Sequence, residues 1–494
     1  MGSEIEVLRT RWSSEDSSDL FEVFNPSTGH VLKQVQGVGP VQAQKALESA
    51  HHAFQTDWRL RSPSERGATL LRAADALEKH ADELATTLSL ENGKPFQDAR
   101  AADVPFLIGV FRYFGSLIDK LPSEFYDQGN VYASVVREPF GVVLAIIPFN
   151  WPPIHTGGKL APALACGNTV VIKPSEQAPL TVLRIVDILN TVFPPNVIHV
   201  LPAKGIALGQ FLVNNSLVRK VSFTGSTSGG AAVGRAALDR VTPVTLELGG
   251  KNAFVVFEDA NIDDAVYDAL EGGFYNKGEA CTAASRVLVH KSIHDEFVAR
   301  YAAAVKKLVV GNGLSPDTHV GPVISKVQKD KIMDYIRLGE SEGAVIEAQA
   351  PLPQDPALRN GFFIPPTLFT NVQRNMRIAK EEIFGPVVTV TSFETYEEAI
   401  SIVNESEYGL ICGIQSKNTT LAWRAARDIE SGIVFINNYQ RRALGTPFGG
   451  TKASGFGREH CIETLHDYSW AKNVRIPSGR GTIPRWRAIK QCFE

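Results

Sequence analysis

Between residues 140 and 250 the chain repeats one pattern. Short, nearly unbroken apolar runs ("GVVLAII", "TVVIK", "NVIHVLP", "KVSF", "PVTLEL") alternate with stretches of helical spacing, and each run stops at a turn or a polar residue. Strands that apolar must be covered on both faces, which a parallel sheet flanked by helices provides. In such sheets ligands bind beyond the carboxyl ends of the strands. Here those ends carry Asn150, Lys173, Glu176, Gly225, Ser226 and Glu247, so functional groups are expected there.

A second strand-and-helix alternation runs from about residue 250 to 450 and holds "EEIFGPVVTVTSF" and "GIVFINNYQRRALGTPFGG". The 494 residues are too many for one core, and a domain boundary is expected near Gly249-Gly250, with a cleft between the two units. Before the first sheet, "SERGATLLRAADALEKHADELATTLSLENG" spaces Leu70, Leu71, Ala74, Leu77 and Ala81 as one helix that follows a Ser/Pro-rich loop and ends near Gly93. "NVYASVVREPF" alternates as a half-exposed strand.

Bulk properties narrow the class. A net charge of −3 with mixed signs gives no footprint for nucleic acid. No apolar run reaches the ~20 residues of a membrane span, so no membrane partner is expected. Five scattered cysteines, Cys166, Cys281, Cys412, Cys461 and Cys492, fit free thiols in a reducing compartment and match no zinc spacing. The opening "MGSEIEVLRT" lacks the apolar region of a secretory leader. A cytoplasmic protein is expected.

The residues that could do chemistry each admit two readings. Cys281, in "GEACTAASR", sits among small neighbours that let backbone or ligand approach, as a nucleophile would need; free cysteine is also a common buried filler. "FTGSTSGG" is a glycine-rich strand-to-helix turn, suited to a pyrophosphate or simply a tight turn. Lys173 and Glu176 could hold ribose hydroxyls or be surface charges. Glu247, ending an apolar strand before two glycines, reads as a partly desolvated base facing the cleft or as an exposed strand-end charge. The Asn150 amide could donate to an oxyanion or form a turn. His460, Cys461 and His466 read as structural, and His51 and His52 make no metal pair. No metal site is expected. The basic tail "GRGTIPRWRAIK" reads as a docking segment or a frayed extension.

Taken together, "PFNWP", "GNTVVIKPSEQAPLT", "VSFTGST", "LELGGKN", "NKGEACTAASR", "EEIFGPV" and "PFGGTKASGFGRE", in that order, resemble the NAD(P)-dependent aldehyde dehydrogenase superfamily nearly end to end. The resemblance implies an α/β fold: a Rossmann-like coenzyme domain (1–120 and 141–249), an α/β catalytic domain (250–453) and a small β oligomerisation arm (121–140 and 466–477), in homodimers or homotetramers. It implies Cys281 as nucleophile, Glu247 as general base and Asn150 as oxyanion donor. Lys173 and Glu176, with Ser175 between them, align with the adenosine side of the cofactor; Gly225, Ser226 and Gly230 with the pyrophosphate turn; and Glu382 and Phe384 with the nicotinamide side. Glu176 favours NAD over NADP, since a carboxylate repels a 2′-phosphate. Glu247 favours hydrolysis of a thioester over its transfer to CoA.

By the same alignment the aldehyde passage is lined by Phe106, Trp151, Ile154, His155, Tyr275, Thr282, Arg442 and Phe448, which suits an aromatic or medium-chain apolar aldehyde. "RALGTPFGG" resembles muconic-semialdehyde dehydrogenases, where this arginine grips a substrate carboxylate. The second arginine of that clamp is replaced by Phe106. A CoA-acylating enzyme and a non-catalytic cofactor-binding homologue are the alternatives. Two departures stand out. "LPAKGIALG" has Ala203 and Lys204 where the family has a glycine-rich turn, and residues 478–494 extend past the usual end.

Overall fold

Ser62 starts the helix expected after the Ser/Pro-rich loop. Its Oγ accepts from the Glu65 amide (3.3 Å) while the Glu65 carboxylate accepts from the Ser62 amide (2.7 Å), a capping box that opens α1 (Pro63–Glu78). The computed structural model, which describes residues 6–16, 19–440, 443–486 and 492–493, divides the expected single helix in two. The His80 amide turns back to the Leu77 carbonyl (3.0 Å), and α2 (Ala81–Asn92) then runs to Gly93, at φ +81°. No Gly or Pro marks the break. Its reason is tertiary: Leu70, Ala73, Ala74 and Leu77 of α1 and Leu84, Ala85 and Leu88 of α2 enter the same core, which one straight rod of about 45 Å would overshoot.

Against the sequence reading, the helical stretch Phe96–Lys120 is long and apolar enough, by length and composition, to cross a membrane. Its apolar side has a use within the fold. Val104, Leu107, Val110, Phe111 and Phe114 of α3 (Val104–Leu117) are buried in that same core.

The apolar runs then form β1 (Val142–Ile146), β2 (Thr169–Lys173), β3 (Ile198–Val200), β4 (Val218–Thr224) and β5 (Val244–Glu247). They are mutually parallel in the order β5-β4-β1-β2-β3, and Gly455–Phe456 adds an antiparallel edge beside β5. Helices α4 (Pro152–Ala165), α5 (Leu180–Asn190), α6 (Ala207–Val213) and α7 (Thr227–Leu238) connect them. The period of two explains the unbroken apolarity. Val143, Ala145, Val170 and Ile172 face one core, whereas Val142, Leu144, Val171 and Val221 face another. Chain order reverses between β1 and β4, and such a switch point opens a crevice at the strand ends.

The second sheet runs Val345–Gln349, Thr367–Thr370, Val387–Phe393, Arg286–His290, Ala253–Val256, Ile411–Gln415, Ile433–Ile436, with only the first strand antiparallel. It too separates two cores, Phe254, Val287 and Val388 on one side and Val255, Leu288 and Cys412 on the other. A third, antiparallel sheet joins Glu124–Asp127, Val131–Pro139 and Ser469–Pro477, the segments expected to make an arm. Phe125, Tyr126, Val474 and Ile476 stand exposed on it. The start of the C-terminal extension lies along this hairpin. Ser478 Oγ donates to the Gly129 carbonyl (2.6 Å), Asn130 Nδ2 to the Thr482 carbonyl (2.8 Å), and Arg480 pairs with Asp127 (2.5 Å).

Candidate active site

Cys281 follows a turn of unusual backbone. Asn276, Lys277 and Gly278 are consecutive left-handed residues, at φ +51°, +54° and +67°. Each non-glycine in that conformation costs roughly 1–2 kcal/mol. Glycine is required at 278, because a Cβ there would sit 2.2 Å from the Gly385 carbonyl oxygen. Buried polar contacts hold the turn. The Lys277 ammonium donates to the Asn92 carbonyl (3.0 Å) and lies 3.5 Å from the Glu279 carboxylate, whose other oxygen accepts from the Ile324 amide (3.1 Å). Beyond it, Asn252 Nδ2 donates to the carbonyls of Cys281 (2.7 Å) and Ala283 (3.0 Å). Cys281 itself is half-buried.

Asn150, on the loop after β1, belongs to the same network. Its Nδ2 donates to the Glu279 carbonyl (3.2 Å), and Asn276 Nδ2 donates to the Asn150 carbonyl (3.1 Å) and to that of Glu279 (2.9 Å). Asn92 Nδ2 fixes the neighbouring Phe149 carbonyl (2.9 Å). The loops bearing the expected oxyanion donor and the expected nucleophile are therefore one hydrogen-bonded unit.

Both loops line a cleft of about 200 Å³, together with Gly225, Ser226, Gly249, Glu382 and Phe384. Its lining fits a dinucleotide. Ser226 caps α7 by accepting from the Gly229 amide (3.1 Å), so the positive end of that helix meets the cleft, as an anion requires. Thr224 Oγ1 is buried without a hydrogen-bond partner, a polar atom for a ligand to satisfy. Glu382 accepts from the Gly250 amide (2.9 Å), and a Cβ on Gly249 would lie 2.2 Å from Glu382 Oε2. Burial raises the Glu382 carboxyl above its usual range. Phe384 is left-handed at φ +58°, and its ring meets Phe149 edge-on at 5.9 Å.

The remaining cofactor candidates divide. Lys173 is buried at the end of β2, where burial lowers its pKa, and its ammonium reaches the carbonyls of Pro174 (3.4 Å) and Ala203 (3.5 Å). The acceptor at Ala203 is its backbone carbonyl, which does not depend on the residue there. Ser175 Oγ accepts from the Gln177 amide (3.3 Å), and Glu176 is half-buried beside it. Gly230 does not line the cleft. A Cβ there would lie 2.3 Å from Leu248 Cδ2, so glycine at this place lets the helix pack close to Leu248.

Glu247 differs from the expected partly desolvated group. It is buried, its carboxylate oxygens accept no hydrogen bond, and it is not among the residues lining the cleft. Burial first, and then the Glu459 carboxylate, raise its pKa well above the usual range. Glu459 meets the Lys159 ammonium at 2.7 Å. Burial opposes its charge, but Lys159 and the imidazoles of His460 and His155 outweigh burial and hold it below the usual range. Two neighbouring carboxyls are thereby set apart, Glu459 ionised and Glu247 protonatable.

Of the expected aldehyde-passage residues, Phe106, Trp151, Ile154 and Tyr275 form one apolar cluster with Ala280 and Ala283, the residues flanking Cys281 and Thr282. The Trp151 and Tyr275 rings lie 5.6 Å apart, and the Lys94 ammonium, paired with Asp103 (2.7 Å), sits 3.5 Å over Trp151. His155 and Phe448 are buried, and Thr282 Oγ1 donates to Gln440 Oε1 (3.4 Å). Arg442 lies outside the described residues. His460, read as structural from the sequence, is buried beside this cluster. Its ring meets Phe106 edge-on at 4.8 Å and Phe448 at 5.4 Å, two expected wall residues. Gln440, beside Thr282, was not singled out in the sequence. Neither carries a periodicity or spacing that could have flagged it.

With this geometry in place, comparison with known proteins gives one answer. The family model described as "Aldehyde dehydrogenase family" matches residues 12–474. The chain is 54% identical over 487 residues to aldehyde dehydrogenase citD of Monascus ruber, covering 98% of this chain and 97% of that one. It is 41% identical over 477 residues to human retinal dehydrogenase 2, covering 95% and 91%. Among solved structures, PnpE in complex with nicotinamide adenine dinucleotide superposes with a TM-score of 0.91 at 40% identity, covering 94% and 96%. Staphylococcus aureus betaine aldehyde dehydrogenase with NAD+ gives 0.92 at 36%, covering 96% and 95%.

Proposed function

The chain belongs to the aldehyde dehydrogenase family and is an NAD(P)-dependent aldehyde dehydrogenase; within that activity we propose that it oxidises an aromatic or medium-chain apolar aldehyde to the carboxylic acid, using NAD, through a thioester on Cys281. The observation that carries the reading is the single cleft in which Cys281 and Asn150, locked together through Glu279, face Glu382 and the N-terminus of α7.

A free thiol has a pKa near ~8.5, so the site must favour the thiolate when the aldehyde arrives. The Cys281 thiolate attacks the carbonyl carbon. The oxyanion that forms exchanges with the Glu279 carbonyl for the Asn150 amide, and the Cys281 backbone N–H is its second donor. Glu382 and Phe384 would hold the nicotinamide side of the cofactor, which when bound would supply the hydride acceptor that lets the Cys281 adduct become a thioester. Glu247 then removes a proton from water, and its raised pKa makes it a stronger base than an exposed carboxylate. Hydrolysis releases the acid and restores the thiol. Lys173 and Glu176 are assigned to the adenosine ribose, with the Glu176 carboxylate disfavouring a 2′-phosphate.

Assembly through the exposed arm sheet into a homodimer or homotetramer, and a cytoplasmic location, complete the proposal. NADH formation across benzaldehyde, a hydroxybenzaldehyde, hexanal, a betaine-type aldehyde and a carboxylate-bearing semialdehyde tests it, with NAD against NADP and with or without CoA. Turnover of uncharged aldehydes with NAD, lost in Cys281→Ser, is expected. A semialdehyde preference lost in Arg442→Ala would shift the reading to a carboxylate clamp. Dependence on CoA would shift it to acyl transfer, and no NADH from any aldehyde would leave only cofactor binding.

A further inference from the structure

The side-chain amide that Asn150 is to give to the oxyanion is itself lightly held. Its Nδ2 donates to the Glu279 carbonyl (3.2 Å), and its Oδ1 is buried with no hydrogen-bond partner. The direction of the side chain therefore depends on the backbone at 150, and two further asparagines hold that backbone. Asn92, the last residue of α2, donates Nδ2 to the Phe149 carbonyl (2.9 Å), and Asn276 donates Nδ2 to the Asn150 carbonyl (3.1 Å). These carbonyls belong to the two peptide planes that flank the Asn150 Cα. A peptide unit is rigid, so holding both planes sets both soft torsions of Asn150 and, with them, the direction of its Cα–Cβ bond. One buried cation orients both holders. The Lys277 ammonium donates to Asn92 Oδ1 (2.5 Å) and to Asn276 Oδ1 (3.4 Å). An ammonium only donates, so it takes the oxygen of each carboxamide and leaves each NH2 turned to the 149–150 loop.

We propose that Asn92 and Asn276 are positioning residues of the reaction, which aim the oxyanion donor through its own backbone. Asn276 has a second part. Its Nδ2 also donates to the Glu279 carbonyl (2.9 Å), the acceptor that the Asn150 amide leaves when it turns to the oxyanion. A buried carbonyl left unpaired is costly. The Asn276 bond keeps that carbonyl satisfied throughout, so the exchange leaves no orphaned acceptor behind. This rests on the proposed role of Asn150 and deepens it.

The test is a double-mutant cycle on the rate constant of NADH formation in a single turnover, with the full-length enzyme in excess over benzaldehyde or hexanal and NAD saturating. Asn92→Ser and Asn276→Gly each delete one carboxamide without adding charge, and glycine accepts the left-handed angle at 276, φ +51°. Each is made alone and together with Asn150→Ala; the near-isosteric aspartate stands in at either position if the first variant does not fold. Each is expected to lower the rate constant about 10- to 100-fold, as a misplaced group does, with KM for NAD within about threefold of wild type. Beside Asn150→Ala the same change should lower it by less than about threefold, because the group it aims is gone. Alkylation of Cys281 by iodoacetamide, which needs no oxyanion donor, should stay within about threefold of wild type, read on the Cys281 peptide by mass spectrometry. Coupling to Asn150 supports the assignment of each residue that shows it. Losses that persist undiminished beside Asn150→Ala at both positions overturn the proposal, as does alkylation that falls in step with turnover. A loss confined to Asn150→Ala sinks this inference alone; an Asn150→Ala variant as fast as wild type sinks the reading beneath it as well.

Discussion

Replacing Lys277 by glutamine tests whether buried charge holds the nucleophile turn. Lys277 and Glu279 have fully buried side chains 3.5 Å apart. Burial pushes Glu279 up to about 7 and Lys277 down to about 8. Glu279 can therefore take up a proton near neutral pH at little cost once its partner is gone. The loss from Lys277→Gln is then chiefly the charged donor to Asn92, roughly 1.5–3 kcal/mol for a hydrogen bond of that kind. It falls at or below the bottom of the ~3–5 kcal/mol typical for breaking a buried pair. Relaxation of the left-handed turn would also shift Cys281 and Asn150 together, and a 1 Å misplacement costs about 10²-fold in rate. The double variant Lys277→Gln/Glu279→Gln restores a neutral pair able to hydrogen-bond. It should recover part of both losses, with a coupling of about 1–3 kcal/mol.

The assay is a double-mutant cycle in kcat and in thermal midpoint at fixed protomer concentration. The pH dependence adds a second readout. The raised Glu279 pKa gives a contribution to stability that is present below about 4.5 and lost as pH rises through about 7. The lowered Lys277 pKa gives one that is present above about 10.5 and lost as pH falls through about 8. Relative to the double variant, the wild type should be least stable between these two values. Additive single variants, or a midpoint difference flat in pH, would refute the reasoning.

Other outcomes follow from the same geometry. Glu247→Gln should keep a pre-steady-state burst of NADH while steady-state kcat falls about 10²–10⁴-fold. In the wild type, the acid limb of kcat should lie above the ordinary carboxylate range, with activity rising with pH through the raised Glu247 pKa. Asn150→Ala should lower kcat by about 10²–10³-fold, measured as a rate, with less change in KM for the aldehyde. Gly249→Ala should displace Glu382, whose Oε2 the new Cβ would approach to 2.2 Å, and raise KM for NAD in initial-rate kinetics. An equal effect of Glu382→Ala alone and in combination with Gly249→Ala would confirm that route.

The alternation of unbroken apolar strands with helices was enough to specify a parallel sheet, because burial on both faces leaves that pattern in the chain itself. The polar residues at the strand ends were enough to nominate Asn150 and Glu247, since chemistry at a sheet's carboxyl edge demands polar residues where the apolar run stops, whereas Cys281 stood out by its small neighbours and by the family resemblance. Local sequence could not specify how far each group is desolvated. Glu247 reads as partly exposed until Gly449, Glu459 and Lys159, remote in sequence, close around it. The break between α1 and α2 has no local signal, because it is set by a core that both must enter. At Gly230 a Cβ would meet Leu248, and Gly158, about three hundred residues before His460 in the chain, leaves room for its ring. Composition and period report which faces are buried; which buried polar group meets which depends on distances across the fold, and these exist only once the chain has closed on itself.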